Sequence, residues 1–129
     1  MTNAEIVRTF YDSVGGGDLE QALGLLSPDC AWTEMDGFPY GGTHIGPDGV
    51  RDNVFARLGG EWEGFAFDLD EVLDAGGTVV GVGTYSGTYK ATGRPMRARV
   101  VHVWRLRDGK AVAFEQFADT LRVAEATAG

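Results

Sequence analysis

The sequence is poor in the residues that build covalently or metal-held structures. One cysteine, Cys30, among 129 residues leaves no intramolecular disulfide, and two histidines without a Cys/His cluster make no zinc site. Cys30 reads instead as a small buried hydrophobe on a strand. No apolar run approaches the roughly 20 residues of a membrane span, and the first residues lack the basic-then-apolar layout of a secretion signal, so the expectation is a cytoplasmic chain without a membrane partner. Basic residues are also scarce. Eleven Lys and Arg against 19 Asp and Glu give a net charge of −8, which repels polyphosphate and argues against a nucleic-acid partner. Gly15-Gly16-Gly17 and Gly41-Gly42 lack the strand-to-helix frame and the lysine of a phosphate-binding loop. The expectation is a site without metal or cofactor.

What is present suits one globular domain spanning 1–129, since this length buries about two-thirds of the unfolded surface. Thr2 to Glu5 form a capping box, and Ile6, Val7, Phe10, Tyr11 and Val14 follow at helical spacing. Asp18 with Gln21 predicts a second, short helix that Pro28 stops, and the two helices form an antiparallel hairpin. Cys30 to Asp36 reads as a strand, and the glycine- and proline-rich stretch after it as a loop. Pro47 opens a third helix carrying Val50, Val54, Phe55 and Leu58. From Phe65 the period changes to two: long strands follow, with turns at Gly76-Gly77, Thr92–Pro95 and Asp108-Gly109, a last strand to about Asp119 and a helical tail.

The strand from Met96 to Arg107 is the most informative. Its even positions are apolar except for His102, while Arg97, Arg99, Arg105 and Arg107 lie on the other face. One face packs on a core and the other meets water or a partner. Helices first and an antiparallel meander after them give an α+β domain, whose curled sheet and covering helices enclose an apolar hollow into which His102 projects.

These residues resemble the nuclear transport factor 2-like superfamily, and within it the SnoaL-like and ketosteroid-isomerase-related proteins. The likeness rests on the hairpin through Gly17-Asp18, on Leu26–Trp32, on Gly46–Val50 and on His102–Lys110. It implies a cone-shaped fold in which a curved mixed or antiparallel sheet wraps three N-terminal helices, and a homodimer formed through the sheet. It also implies isomerase or cyclase chemistry on small molecules. Steroid isomerases use a tyrosine on the first helix, an aspartate on the first strand and an aspartic acid on the penultimate strand; those places fall on Phe10, about Met35 and His102. Two of the three roles are changed, which argues against that route. Polyketide cyclases of this kind keep a histidine at the His102 place, and their acid–base aspartate falls seven residues after Gly109, on Gln116. The resemblance favours a three-residue loop at Arg107–Gly109, which puts Gln116 on the face of His102; a two-residue loop would set Glu115 opposite His102.

The expected catalytic residues are His102 and Glu34, an imidazole and a carboxyl suited to moving protons near neutral pH. Alternation lets Glu34 or Met35, not both, face the hollow. Trp32, Tyr40, Trp62, Tyr85, Trp104, Phe114, Gln116 and Asp119 are the expected ligand contacts, with Asp36 and Asp119 also readable as turn and helix caps. Tyr11 is expected to point away, because it stands about 100° around the helix from Phe10. The expected function is a cofactor-independent enzyme that isomerises, cyclises, dehydrates or hydrates a small apolar organic molecule, or else a protein that binds such a metabolite without turning it over.

Overall fold

The computed structural model describes residues 1–128. Helix α1 (Asn3–Gly15) starts at the expected capping box: the Thr2 hydroxyl accepts from the Glu5 amide at 3.1 Å and Glu5 Oε1 accepts from the Thr2 amide at 2.9 Å. Asp18 caps α2 (Leu19–Leu23) through the Gln21 amide at 3.1 Å. That helix ends at Gly24, so Pro28 does not stop it but falls inside β1 (Leu26–Glu34), which begins four residues before the expected start at Cys30. The supposed loop after β1 contains a further strand, β2 (Gly42–Ile45), which pairs with β1.

The third helix is divided. After α3 (Gly46–Val50), residues Arg51–Phe55 form a π-helical turn before α4 (Ala56–Glu61). The meander then runs β3 (Trp62–Ala75), β4 (Thr78–Tyr89), β5 (Pro95–Arg107) and β6 (Lys110–Ala118), followed by α5 (Thr120–Thr127). The six strands are ordered β2-β1-β6-β5-β4-β3, with β1 and β6 parallel and every other pair antiparallel. The sheet is therefore mixed. Register shifts in β3, between Glu63 and Ala66 and between Leu69 and Glu71, bend its long partner strands around the helices.

The β5–β6 turn settles the register differently from either expectation. Arg107 pairs with Lys110 around a two-residue Asp108-Gly109 turn, both residues having positive φ (52° and 77°) as a type I′ turn requires. A bulge follows, because Leu106 pairs with Ala111 but Arg105 with Ala113. The extra residue, Val112, moves the register by one, and Gln116 comes to lie opposite His102. Gln116 is on the expected face for a reason the turn alone does not contain.

Candidate active site

Three strands bring their inward residues into two rows. One is Trp32, Phe114 and Trp104; the next is Glu34, Gln116 and His102, followed on β4 by Gly81. Alternation on β1 is decided in favour of Glu34, which is 3% exposed, over half-buried Met35. The first row is a tight aromatic floor. Trp32 stacks on Phe114 with ring centroids 3.6 Å apart, and Trp104 meets Phe10 edge-on at 4.8 Å. Phe10 is thus a packing member of this floor.

Tyr11 does not point away, as α1's geometry had suggested. Its hydroxyl oxygen lies 2.8 Å from His102 Nδ1 and accepts the Trp104 indole N–H at 2.9 Å. Gly81 makes this possible: a Cβ there would collide with the Tyr11 hydroxyl. The signal that was present in the sequence is the Gly81-Val82-Gly83 pattern, which leaves two successive inward positions of β4 without side chains and admits Tyr11 and Phe67 in their stead. A Gly81→Ala substitution is expected to displace Tyr11, break both of its hydrogen bonds and cost about 1–3 kcal/mol. A urea midpoint equal to that of the parent chain would show that Tyr11 is not held as described.

On the other side of the imidazole, Nε2 is 2.7 Å from the Tyr85 hydroxyl, which also accepts from Gln116 Nε2 at 3.0 Å. Gln116 Oε1 in turn accepts the Met35 amide N–H at 3.4 Å, which fixes the orientation of the amide. Phe67 and Phe114 close over the ring with centroids at 4.7 and 4.8 Å. His102 is therefore hemmed in, not projecting into an open hollow. Burial depresses its pKa to about 3, so the ring is neutral at physiological pH. That corrects the expectation of a free general base: a neutral ring with both nitrogens engaged is a hydrogen-bond bridge. Burial also pushes the Tyr11 and Tyr85 hydroxyls above the ordinary phenol range, so both stay protonated.

Glu34 behaves in the opposite way. Its Oε2 has no hydrogen-bond partner among the described residues, and neither has the buried Trp32 Nε1. Burial lifts the carboxyl pKa from 4.5 to about 8; the nearby Trp32 indole offsets this in part without completing a bond. The charge on Glu34 in turn raises Tyr85, which places the two groups within electrostatic reach. A buried carboxyl with a free oxygen and a pKa near neutrality beside a protonated phenol is an acid–base pair in waiting.

Tyr40 and Trp62 build a separate network. Tyr40 donates to Glu61 Oε1 and accepts the Trp62 indole N–H, each at 3.1 Å, while Arg57 stacks over the Tyr40 ring at 4.4 Å. This fastens the Asp36–Gly42 segment to α4, with Phe38 lying over Tyr85 at a centroid distance of 6.0 Å. Asp119 is exposed and caps α5 by accepting from the Arg122 amide at 3.3 Å. Asp36 is exposed at the start of the turn. The structure thus joins Trp32, Glu34, Tyr85, His102, Trp104, Phe114 and Gln116, keeps Tyr40 and Trp62 in their own buried network, and leaves Asp119 outside. Two open grooves, of 550 Å³ beside α5 and 950 Å³ between α2 and α3, reach neither Glu34 nor His102. Among the described residues no group of three or more His, Cys, Asp or Glu side chains is placed to hold a metal ion, and no helix is long and apolar enough to cross a membrane.

Comparison with solved structures places the fold. An NTF2-like protein from Burkholderia thailandensis E264 superposes with a TM-score of 0.98 at 48% identity, covering 100% of this chain and 99% of that one. TerC, co-crystallised with polyporic acid, gives 0.85 at 29% identity with 95% of both chains covered. Among curated proteins, Patulin synthesis protein F of Aspergillus clavatus is 32% identical over 115 residues, which cover 78% of this chain and 56% of that protein. The chain spans about half the length of that relative. The model of the SnoaL-like domain family matches residues 7–114, a stretch that contains α1 from Val7 onward, the aromatic floor, Glu34, Tyr85 and His102. With its cone of six strands and its N-terminal helices, this chain belongs to the SnoaL-like family of NTF2-like proteins.

Proposed function

We propose that this chain is a cofactor-independent enzyme that moves protons on a small, flat, largely apolar carbonyl compound, so as to isomerise, cyclise, dehydrate or hydrate it. The observation that carries this reading is the Glu34 carboxyl: buried, with an unpartnered oxygen and a pKa lifted to about 8. At pH 7 it is mostly protonated and serves as general acid; its ionised fraction is a stronger base than an ordinary carboxylate. Tyr85 supplies the hydrogen-bond donor for the carbonyl oxygen, where negative charge develops as a proton leaves the adjacent carbon. Phe38, lying over Tyr85, provides an aromatic side for a planar ligand. Entry requires Phe38 and its glycine-flanked turn to swing away from Tyr85. The likeness to TerC, co-crystallised with polyporic acid, supports a hydroxyquinone as the first probe.

The test uses polyporic acid as the binding probe and simple cyclic diketones as the exchange substrates, in D2O. Binding is followed by quenching of Trp fluorescence and proton transfer by deuterium uptake at carbon. Wild type should bind and exchange, and Glu34→Gln should bind about as tightly while losing exchange by about 100-fold or more. Equal exchange in both proteins rules Glu34 out. A second reading, a metabolite binder without turnover, is favoured by the amide of Gln116 and by the engaged, neutral imidazole; binding without exchange in wild type would establish it.

Pairing of two copies through the outer sheet face belongs to the same reading. Val101 and Val103 are half-buried there between Arg97, Arg99 and Arg105, and Phe117 is 41% exposed, beside Glu115. An apolar strip edged by both charge signs is self-complementary about a two-fold axis. Sedimentation should give twice the chain mass, and Val101→Asp should reduce it to the monomer.

A further inference from the structure

Hydrogen-bond donors and acceptors around His102 can be counted in full, and the count leaves a choice. The Trp104 indole can only donate, so the Tyr11 oxygen accepts from it; the Gln116 amide, oriented by the Met35 N–H, donates to the Tyr85 oxygen. Each phenol keeps its own proton and one further lone pair, and the neutral ring between them has one N–H and one lone pair. Two arrangements follow. In the first, Tyr11 donates to Nδ1, Nε2–H donates to Tyr85, and the Tyr85 proton is free to point towards Glu34. In the second, Tyr85 donates to Nε2, Nδ1–H donates to Tyr11, and the Tyr11 proton is released from the ring. Both make the same number of internal hydrogen bonds. Tyr85 is sealed in the core, whereas Tyr11 is only partly buried, under α1 against Phe67 of β3.

We propose that Tyr11, His102 and Tyr85 form a proton relay that links the buried Glu34 end of the cone to solvent at the α1–β3 edge. Inward transfer balances: the Tyr11 proton passes to Nδ1, the Nε2 proton passes to the Tyr85 oxygen, and the original Tyr85 proton leaves to the Glu34 carboxylate or to a ligand anion beside it. Water then restores the Tyr11 proton. One proton enters and one is delivered; the reverse sequence carries one outwards and returns the ring to its first tautomer. No member becomes charged on completing the passage, which suits a ring that resists protonation. Tyr11 and His102 are thus positioning residues that act through Tyr85. The destination of the proton rests on the acid–base role given to Glu34; the relay itself does not.

The test is nuclear magnetic resonance on the full chain with 15N-labelled histidine and 13C-labelled glutamate. Interconverting tautomers should give both His102 ring nitrogens shifts intermediate between the protonated and unprotonated forms. Exchange of the ring proton with water should slow by at least an order of magnitude in Tyr11→Phe, with the amide spectrum otherwise kept. One nitrogen fully protonated and the other fully unprotonated in wild type would overturn the relay, as would an unchanged exchange rate in Tyr11→Phe. Should that variant lose its amide dispersion, Phe67→Ala, which opens the outer end without removing a relay group, is expected to speed the exchange instead, and no change would count against the relay. The Glu34 carboxyl titration, read in the same sample, separates the two ideas. A midpoint near 4.5 removes the acid–base reading and leaves the tautomer result standing; a locked ring removes the relay and leaves Glu34.

Discussion

Between about pH 4.5 and 6.5 the stability of this chain should be nearly flat as far as its two buried titrating groups decide it, and it should fall on both sides. Glu34 is held protonated, its pKa raised from 4.5 to about 8, and His102 is held neutral, its pKa lowered from 6.5 to about 3. Within the plateau the unfolded chain carries its one proton on histidine and the folded chain carries its one proton on the carboxyl, so proton uptake is equal and the slope vanishes. Above pH 6.5 the folded state alone still binds a proton. Stability that Glu34 contributes in full below pH 4.5 is lost as pH rises through 8; His102 offsets that loss up to pH 6.5, so the net fall from the plateau is about 2 kcal/mol. Below pH 4.5 the unfolded state binds the additional proton, and stability is lost as pH falls through about 3. Glu34→Gln keeps the shape of the protonated carboxyl and cannot ionise. Its urea midpoints should follow wild type below about pH 4.5, climb above it between pH 4.5 and 6.5, where only the histidine still titrates, and stay above it at pH 8–9. Parallel profiles at every pH would mean that Glu34 is not buried as described.

Replacing Trp104 by alanine should be the most damaging change to the floor of the site, at about 3–5 kcal/mol. The ring is 1% exposed and meets Phe10, Trp32 and Phe114 with centroids at 4.8, 5.7 and 4.7 Å. Since a small domain has about 5–15 kcal/mol in all, the variant should be close to unfolding at 37 °C. Trp104→Phe keeps most of the packing and removes the N–H donated to Tyr11, so about 1–3 kcal/mol is expected, with Tyr11 and His102 disturbed out of proportion to the stability lost. Thermal melts of both variants check the order, and equal losses would remove the cavity argument.

Much of the molecule was legible because local chemistry and hydrophobic period agree. The Thr2–Glu5 cap, the Asp18 cap, the inward even positions of β5 and the lone polar residue among them, His102, all follow from spacing of 3.6 or 2. Where two local rules competed, the sequence misled. Pro28 reads as a helix stop but has a place in β1, because the parallel pairing with β6 is irregular between Leu26 and Ala31. The glycine-rich stretch after β1 reads as loop, yet four of its residues add an edge strand. Tyr11 was assigned the wrong side because a helix wheel measures angle and not what stands opposite: the missing side chain is on Gly81, 70 residues away.

The order of elements, the inward face of each long strand and the candidates Glu34 and His102 belong to the sequence, since alternation and capping act over a few residues. The chemistry of those candidates belongs to the tertiary structure. Val112 bulges and brings Gln116 opposite His102; Gly81 admits Tyr11; two phenols and a shell of rings then turn the expected base into a neutral bridge. Burial without a partner does the reverse for Glu34 and lifts its carboxyl pKa to about 8. Protonation is a property of surroundings, and these surroundings come from six elements spread along the chain, which no local pattern assembles.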